Sequence, residues 1–335
     1  MANILVTGGA GYVGSVCCAE LLRLGHAVTV VDDLSTGFGD AVPEGAKFYQ
    51  FNIGDGDRLA ALAGKSRFDV VFHFAAKALI PESVANPGVF FQENVASSIT
   101  MLEVLRAAGL RNVVFSSSAA VYGTPKTVPI DEESPKNPVN AYGETKLMLE
   151  RVLEWYARAY GWSVIAFRYF NAAGATPALG ERHHPESHII PLLLEAAAGE
   201  RENFTVYGDD YDTADGTCLR DYVHVLDIAN AHICALQRMN QAGMRAFNIG
   251  LGESYSVRQI CRAAEEATGR SIPVRVGPRR AGDPAVLCAS PRRIMEELNW
   301  QPRHSAIKEI IGSAWAWKLG VSQASSSSNS ASNTR

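Results

Sequence analysis

Short runs of apolar residues alternate with longer segments of helical periodicity over the first half of the chain. The runs predict six strands, at residues 4–7, 27–31, 48–51, 70–74, 113–116 and 164–167. The segments between them predict helices, among them 12–24, 89–108 and 141–160. Apolar strands separated by helices are typical of a parallel sheet that is covered on both faces. The pattern therefore predicts an α/β fold, a doubly wound parallel sheet of Rossmann type.

This alternation ends near residue 173. A stretch rich in Pro, Gly and His runs to Pro191, and an acidic loop occupies residues 208–216. Residues 256–268 and 305–318 predict two further helices, and residues 273–276 predict a short strand. We expect a first domain over 1–173 and a smaller α/β lobe over 174–320, some segments of which return to the first domain. The Ser-rich tail, 321–335, is predicted to be disordered because it cannot bury enough apolar surface.

Composition narrows the classes of partner. The net charge of -4 provides no basic surface for nucleic acid. No apolar stretch approaches the roughly 20 residues of a membrane span, and no signal peptide is expected before Ile4. The six cysteines have neither a CxxC pair nor a zinc spacing, which favours reduced thiols in a cytoplasmic protein. No metal site, nucleic-acid partner or membrane partner is therefore predicted.

A glycine turn follows the first predicted strand. Gly8, Gly11 and Gly14 form the pattern G-x-x-G-x-x-G at the start of a helix. Glycines there let backbone N–H groups approach a pyrophosphate, whose charge suits a helix N-terminus. Asp32 and Asp33 end the second strand, where a carboxylate accepts hydrogen bonds from ribose hydroxyls and repels a 2′-phosphate. This favours NAD over NADP, although an acid before a turn is the alternative.

Small residues follow the next two strands. Asn52 and Ile53 come after the third strand, and Phe74, Ala75 and Ala76 end the fourth. Small residues at a strand end allow a flat cofactor to lie against the backbone. Taken alone, the same residues could be core packing.

Tyr142 and Lys146 are four residues apart on a predicted helix, so that they share one face. A tyrosine base at neutral pH needs its pKa lowered by about three units, or roughly 4 kcal/mol. An ammonium about 4 Å away supplies about 4 kcal/mol at an effective dielectric constant of about 20. We therefore predict that Lys146 lowers the pKa of Tyr142, that Lys146 could also hold the nicotinamide ribose, and that Ser118 orients the substrate hydroxyl. An exposed helix face is the alternative for the Tyr142–Lys146 pair.

A resemblance to a known family rests on nine segments: TGGAGYVGS, VVDDLSTG, HFAAKALIPESV, SSSAAVYG, NAYGETK, RYFNAAG, DDYDTADGTCLRDYVHV, AFNIGLGESYSV and PRRAGDPA. Over about residues 1–318 the chain resembles the extended short-chain dehydrogenase/reductase family. The resemblance implies NAD held tightly in the first domain and a UDP-sugar in the second lobe. It implies interconversion of UDP-glucose and UDP-galactose: hydride leaves carbon 4, the 4-keto sugar presents its other face, and hydride returns. Tyr142 moves the hydroxyl proton.

The motifs and the resemblance together define the expected site. The cofactor residues are Gly8, Gly11, Tyr12, Val13, Gly14, Asp32, Asp33, Leu34, Ser35, Thr36, Gly37, Asn52, Ile53, Phe74, Ala75, Ala76, Lys77, Asn94, Ser118, Tyr142, Lys146 and Phe170. The substrate residues are Ser118, Tyr142, Asn171, His188, Ile189, Thr205, Val206, Tyr207, Arg220, Arg280, Asp283 and Leu287. Arg220 and Arg280 suit a diphosphate, which needs cationic donors, and a surface ion pair is their alternative.

Three positions depart from the family pattern. Asn52 replaces an acid that often faces adenine, and His188 replaces an asparagine. Leu287 stands where some relatives have a tyrosine that narrows the hexose pocket. This predicts room for N-acetylated UDP-hexoses, unless Leu287 merely packs under its strand.

Related reactions of the same family are alternatives to this epimerisation. Related dehydratases need an Asp-Glu pair where this chain has Ala119 and Ala120, and sugar-nucleotide oxidations need a cysteine near Tyr142. UDP-xylose/arabinose or UDP-glucuronate epimerisation stays open, as does a non-catalytic NAD-binding module. The resemblance also implies a homodimer built on helices 89–108 and 140–160. Leu102, Leu105, Leu149 and Leu153 could form its apolar face or could equally be core.

Overall fold

The computed structural model describes residues 1–239, 241–280 and 282–332. The strands are β1 (Asn3–Thr7), β2 (Ala27–Asp32), β3 (Lys47–Gln50), β4 (Val70–His73), β5 (Asn112–Ser118), β6 (Ser163–Tyr169), β7 (Asn171–Ala173), β8 (Phe204–Tyr207), β9 (Leu219–Arg220), β10 (Tyr222–His224), β11 (Gly243–Ile249), β12 (Tyr255–Ser256), β13 (Val274–Gly277) and β14 (Val286–Leu287). The helices are α1 (Tyr12–Arg23), α2 (Gly56–Lys65), α3 (Ile80–Ala85), α4 (Pro87–Phe90), α5 (Ser97–Ala107), α6 (Ala141–Tyr160), α7 (Ile189–Ala198), α8 (Val225–Leu236), α9 (Val257–Thr268), α10 (Arg292–Leu298) and α11 (Ile307–Ser332). A π-helical turn, Phe91–Ala96, joins α4 to α5.

A parallel sheet of seven strands forms the centre, in the order β11-β6-β5-β4-β1-β2-β3. Each neighbouring pair is parallel, for example β1 with β4 from Ile4 opposite Val70 to Thr7 opposite His73. The strand order reverses direction beside β1, which is the switch point where ligands bind in such sheets. The predicted α/β fold with a doubly wound parallel sheet is confirmed.

Helices cover both faces of this sheet. On one face Val16 and Leu21 of α1 pack with Ile228 of α8 in a fully buried cluster. On the other face Leu102 of α5 and Leu149 of α6 are buried in a second cluster. Since every inner strand is covered on both sides, its apolar run is continuous rather than alternating.

A smaller lobe lies beyond β6. Its core joins α7, α9 and α11 through buried residues such as Leu193, Ile260 and Ile310. The chain returns from this lobe to the central sheet twice. First α8 packs on α1 and β11 pairs with β6, and later α10 packs on β11, with Ile294 and Leu298 buried in the same cluster as α1. None of the helices in the described part of the chain is both long and apolar enough to cross a membrane.

The C-terminal segment contains helix α11, which spans Ile307–Ser332. The predicted disorder of the tail, 321–335, stays a prediction, and residues 333–335 lie outside the described residues. Buried Ile310, Ile311 and Trp315 anchor the first turns of α11. Once these turns have formed, each added residue extends the helix without a new nucleation cost.

Candidate active site

A cavity of about 720 Å³ opens between the central sheet and the smaller lobe. Gly8, Asp32, Ser118 and Lys146 line it from the carboxyl ends of the sheet strands and the elements beside them. Arg220 lines it from the smaller lobe. The location agrees with the rule that open α/β sheets bind ligands beyond the carboxyl ends of their strands.

The glycine turn leaves no space for side chains. Gly8 has a φ of +75°, and a Cβ there would lie 2.4 Å from the backbone nitrogen of Ala75. A Cβ on Gly14 would lie 2.2 Å from the carbonyl oxygen of Gly8. Gly11 precedes α1 and provides no side-chain cap, so that the N-terminus of α1 can receive a ligand anion. This turn therefore fits a dinucleotide pyrophosphate.

Asp32 has both a cavity position and a structural role. Its carboxylate oxygens accept hydrogen bonds from the backbone N–H groups of Ala10 at 3.0 Å and Leu34 at 2.9 Å. Burial raises the pKa of Asp32, and these two bonds act against that increase. Asp32 thus connects the glycine turn to the end of β2, and its remaining lone pairs suit ribose hydroxyls.

The third-strand position, Asn52, lies between two carboxylates. Its amide nitrogen donates to Asp33 at 2.8 Å and to Glu93 at 2.9 Å. Its Oδ1 accepts from the N–H of Gly54 at 2.8 Å. Asn52 is therefore oriented by three partners, and Glu93 is a cavity residue that the sequence analysis missed.

Asn94 does not line the cavity, but it forms hydrogen bonds with neighbouring segments that do. It is buried, and it exchanges two hydrogen bonds with the backbone of Lys77, at 2.7 and 3.0 Å. Its amide also donates to Thr145 at 3.0 Å. Asn94 therefore connects the loop after β4 to α6, the helix that carries Tyr142.

Tyr142 and Ser118 meet where α6 approaches the end of β5. Asn140 caps α6 by accepting from the N–H of Gly143 at 2.8 Å, which starts the helix one residue before Tyr142. A Cβ on Gly143 would lie 2.6 Å from the carbonyl oxygen of Ala120. The Ser118 hydroxyl is hydrogen-bonded to Tyr142 and accepts from the N–H of Ala120 at 3.1 Å.

The lowering of the Tyr142 pKa by Lys146 stays a prediction. Burial raises the pKa of Tyr142, and the hydrogen bond with Ser118 offsets this only in part. Burial also lowers the pKa of Lys146 to about 7. The Lys146 ammonium donates to the carbonyl oxygen of Ser116 at 2.7 Å and lies 5.7 Å from the centre of the Tyr142 ring. The expected charge effect assumed a fully ionised lysine aimed at the phenol.

The smaller lobe contributes cations and an aromatic ring. Arg220 forms a short ion pair with Asp283, and both line the cavity. The guanidinium of Arg280 lies 4.1 Å from the centre of the Tyr207 ring. Asn171 donates through its side chain to the carbonyl oxygen of Asp221 at 2.8 Å. These groups could receive a nucleotide diphosphate, because two guanidinium groups face the same cavity.

Most predicted residues line this cavity, but four do not. Leu34, Asn94, Val206 and Leu287 are absent from its lining. Val206 is buried at 1% exposure, and Leu287 packs against a cluster that includes Val121 and Leu147. This packing favours the alternative interpretation, in which Leu287 packs under its strand, and room for N-acetylated UDP-hexoses stays a prediction.

The cavity also contains residues that the sequence analysis missed. Among them are Glu93, Tyr169, Glu181, His183, Glu186, Cys218, Tyr222 and Trp317. Three of them, Glu181, His183 and Glu186, belong to the His-rich stretch before Pro191. Burial raises the pKa of the Cys218 thiol, so that it is not poised as a thiolate nucleophile.

The fold and the site are those of a dinucleotide-dependent enzyme. The chain belongs to the NAD dependent epimerase/dehydratase family, whose model matches residues 4–250. This confirms the family resemblance and the NAD cofactor predicted from the sequence.

Particular relatives refine this class. The UDP-glucose 4-epimerase of Corynebacterium glutamicum is 47% identical over 316 residues, covering 94% of this chain and 95% of that protein. The same enzyme of Lacticaseibacillus casei is 47% identical over 318 residues, covering 94% and 96%. A solved structure of UDP-glucose 4-epimerase from Brucella ovis in complex with NAD is 44% identical, with a TM-score of 0.91 and coverage of 94% and 98%.

Proposed function

We propose that this chain is an NAD-dependent isomerase that interconverts UDP-glucose and UDP-galactose through a 4-keto intermediate. The observation that carries the proposal is one cavity that joins the glycine turn, the Ser118–Tyr142–Lys146 group and the Arg220–Arg280 wall. The relatives named UDP-glucose 4-epimerase, at 41–47% identity, support the choice of reaction.

We propose that residues 1–173 hold the cofactor and that 174–320 hold the sugar nucleotide. The glycine turn would receive the pyrophosphate, and Asp32 and Asp33 the adenosine ribose. NAD supplies the hydride acceptor and a positive charge beside the sugar when it is bound. Lys146 would contact the nicotinamide ribose, since it lines the cavity beside Ser116, to whose carbonyl oxygen its ammonium donates.

The proton chemistry belongs to Tyr142. Its phenol would take the proton of the hexose 4-hydroxyl and later return it, while Ser118 orients that hydroxyl. Because burial raises the pKa of Tyr142, added positive charge is required to ionise it near neutral pH. Lys146 and the cofactor together meet this requirement.

The smaller lobe would bind the UDP group. Arg220 and Arg280 suit the diphosphate, Asp283 the uridine ribose, and Ile189 at the start of α7 the uracil ring. The expected dehydratase acids remain replaced by Ala119 and Ala120, which cannot transfer protons. An epimerase therefore fits these residues better than a dehydratase does.

A turnover assay tests this proposal. Purified protein with UDP-glucose is expected to yield UDP-galactose, with the epimers separated by chromatography. Tyr142→Phe should lower kcat by about 10²–10⁴-fold, because only the proton-transferring oxygen is lost, while UDP binding persists. Tyr160→Phe is the matched control, since Tyr160 is 44% exposed on the same helix. Absence of epimerisation in the native protein, or full activity in Tyr142→Phe, would overturn the proposal.

We also propose a homodimer and a cytoplasmic location. Leu102, Leu105, Leu149 and Leu153 are all 2% exposed or less in the protein's own core, so they do not form the partner face. Other apolar side chains on the same helices are exposed instead, namely Val89, Ile99 and Trp155. The six cysteines, which are all free thiols, support the location.

A further inference from the structure

We propose that Glu181, His183, Glu186 and His188 form a binding site for one transition-metal dication, with Zn²⁺ as the best-fitting ion. We call these four residues the His–Glu cluster. One ligand atom from each lies within 4.8 Å of the other three. The inference goes beyond the proposed epimerase reaction, which needs no metal at this position.

The His–Glu cluster has more close nitrogen–oxygen contacts than it has N–H protons to form hydrogen bonds. Nδ1 of His188 lies 2.8 Å from a carboxylate oxygen of Glu181 and 2.8 Å from one of Glu186. The same Glu181 oxygen lies 2.9 Å from Nδ1 of His183. A single N–H proton cannot make two full hydrogen bonds, whereas a cation between the four atoms would engage all of them.

Zinc matches both the ligand types and the distances. It binds imidazole nitrogen and carboxylate oxygen tetrahedrally, with bonds of roughly 2.0–2.2 Å. Two ligands in such a site are about 3.3–3.6 Å apart. The three contacts of 2.8–2.9 Å would open by about half an ångström, and the pairs that lie as far apart as 4.8 Å would close, through rotation of the side chains.

The charge of the His–Glu cluster also favours a dication. The side chains of Glu181 and Glu186 are only 9% and 7% exposed, so their negative charges are largely withdrawn from water. Burial alone would lower the pKa of His188, but Glu181 and Glu186 raise it to about 10, so that a proton on His188 balances one of the two charges when no metal is bound. The neighbouring Arg182 does not balance the other, because it forms a two-point ion pair with Asp40 at 2.6 and 3.0 Å. A divalent cation would neutralise both carboxylates.

The His–Glu cluster is local and reachable. All four ligands come from one loop of eight residues that ends at the start of α7. His188 is 47% exposed and His183 is 25% exposed, which leaves a path for the ion. Sequence analysis found no metal site because it considered only the spacing of cysteines.

Metal titration of the untagged full-length protein tests this inference. After removal of metals with a chelator, Zn²⁺ is titrated in competition with a chromophoric chelator, and bound zinc is counted by mass spectrometry. We expect about one zinc per chain, and a Kd raised by about tenfold or more in His183→Ala. His184→Ala is the matched control, because His184 is the exposed neighbour outside the His–Glu cluster and should leave the Kd unchanged.

Glu186→Gln gives a second variant that keeps side-chain volume, in case His183→Ala folds poorly; it too should weaken zinc binding. Native protein without stoichiometric zinc would overturn the inference, as would equal affinity in the native protein, His183→Ala and Glu186→Gln. The free cysteines would then be the source of any residual binding. Because zinc is counted directly, an active epimerase without this site refutes only the metal inference.

Discussion

Burial acts on Tyr142 and Lys146 in opposite directions, and both effects favour the neutral forms. Burial raises the pKa of the phenol, and it lowers the pKa of the ammonium to about 7. A neutral lysine cannot help a tyrosine to ionise. The pair therefore depends on the charge state of Lys146, which any anionic group placed nearby would restore.

Replacing Lys146 by Met tests this dependence. Tyr142 must be ionised to accept a proton, so activity rises with pH through the Tyr142 pKa. Removing the neighbouring cation should raise that pKa, shift the rising limb of the kcat–pH profile to higher pH, and lower kcat at pH 7 by about 10²-fold. Profiles of native and Lys146→Met protein from pH 6 to 10 measure the shift.

Lys47→Met is the control for that comparison, because Lys47 is exposed on β3, outside the cavity. An unshifted limb in Lys146→Met would mean that Lys146 serves only to hold the cofactor or the backbone of Ser116.

At the scale of elements, the close packing of the N-terminal end of α6 against the end of β5 positions the residues of the proposed reaction. Its first turn carries Tyr142 and its second carries Lys146, and Gly143 lets this end approach Ala120. Contact of this closeness positions the phenol against Ser118. A side chain at residue 143 would push the helix start away from β5.

Gly143→Ala should therefore reduce activity more than stability. The added Cβ would meet the Ala120 carbonyl oxygen at 2.6 Å, and the movement needed to relieve this separates Tyr142 from Ser118. A shift of this kind costs about 10²-fold in kcat. Gly64→Ala in the exposed part of α2 meets no atom within 4 Å and should add about 0.5–1 kcal/mol of stability. Steady-state kinetics and urea unfolding of both variants check this, and an active Gly143→Ala would contradict it.

Most strands of the sheet could be predicted from their apolar runs. These strands are buried on both faces, so that polar residues do not interrupt the runs. The strand β11 is different: its paired segment, β6, lies about 80 residues earlier, and no local pattern reveals such a partner. Part of the candidate site could also be predicted from residues that are close together in the sequence. Glycines and the Tyr142–Lys146 spacing are visible in the sequence, whereas the partners of Asn52 and the convergence of Glu181 with His188 depend on how loops fold back.

For the whole molecule, three buried histidines make the free energy of unfolding depend on pH. Burial lowers the pKa of His73 to about 3, and that of His224 and His232 to about 4. Each is protonated near pH 6.5 when the chain unfolds. The unfolded state thus binds more protons between pH 6.5 and 4, so the contribution of these residues is full above pH 6.5 and lost as the pH falls.

His232→Phe isolates one of these three groups. Asp221 opposes them, because burial raises its pKa to about 6, so the total pH dependence is a sum of both signs. The native protein should lose on the order of 3 kcal/mol more than His232→Phe between pH 6.5 and 4, in urea unfolding at each pH. His184→Ala is the control for the loss of an imidazole, since His184 is exposed. Parallel curves for native and His232→Phe would contradict the coupling.

The helix that carries Tyr142 and Lys146 also exposes an apolar side chain that could pack against a partner chain. Trp155 is 66% exposed on α6, and Val89 and Ile99 are exposed on the neighbouring α4 and α5 segments. Monomers seldom leave large apolar side chains clustered in solvent, which supports pairing here. Dimerisation would bury the distal half of α6 and thereby hold its catalytic end.

Trp155→Lys should convert the protein from a dimer to a monomer of 36.1 kDa, measured by light scattering at micromolar concentration. A charge buried against a second copy is costly, while Trp155 lies about 20 Å along α6 from Tyr142, so NAD binding should remain. Val276→Lys is the control, because Val276 is 51% exposed on β13 of the smaller lobe. A native protein that is monomeric would contradict the dimer. A Val276→Lys protein that dissociates equally would contradict an interface at Trp155. If Trp155→Lys is monomeric but loses activity while it retains NAD, then dimerisation supports the catalytic end of α6 through the helix itself.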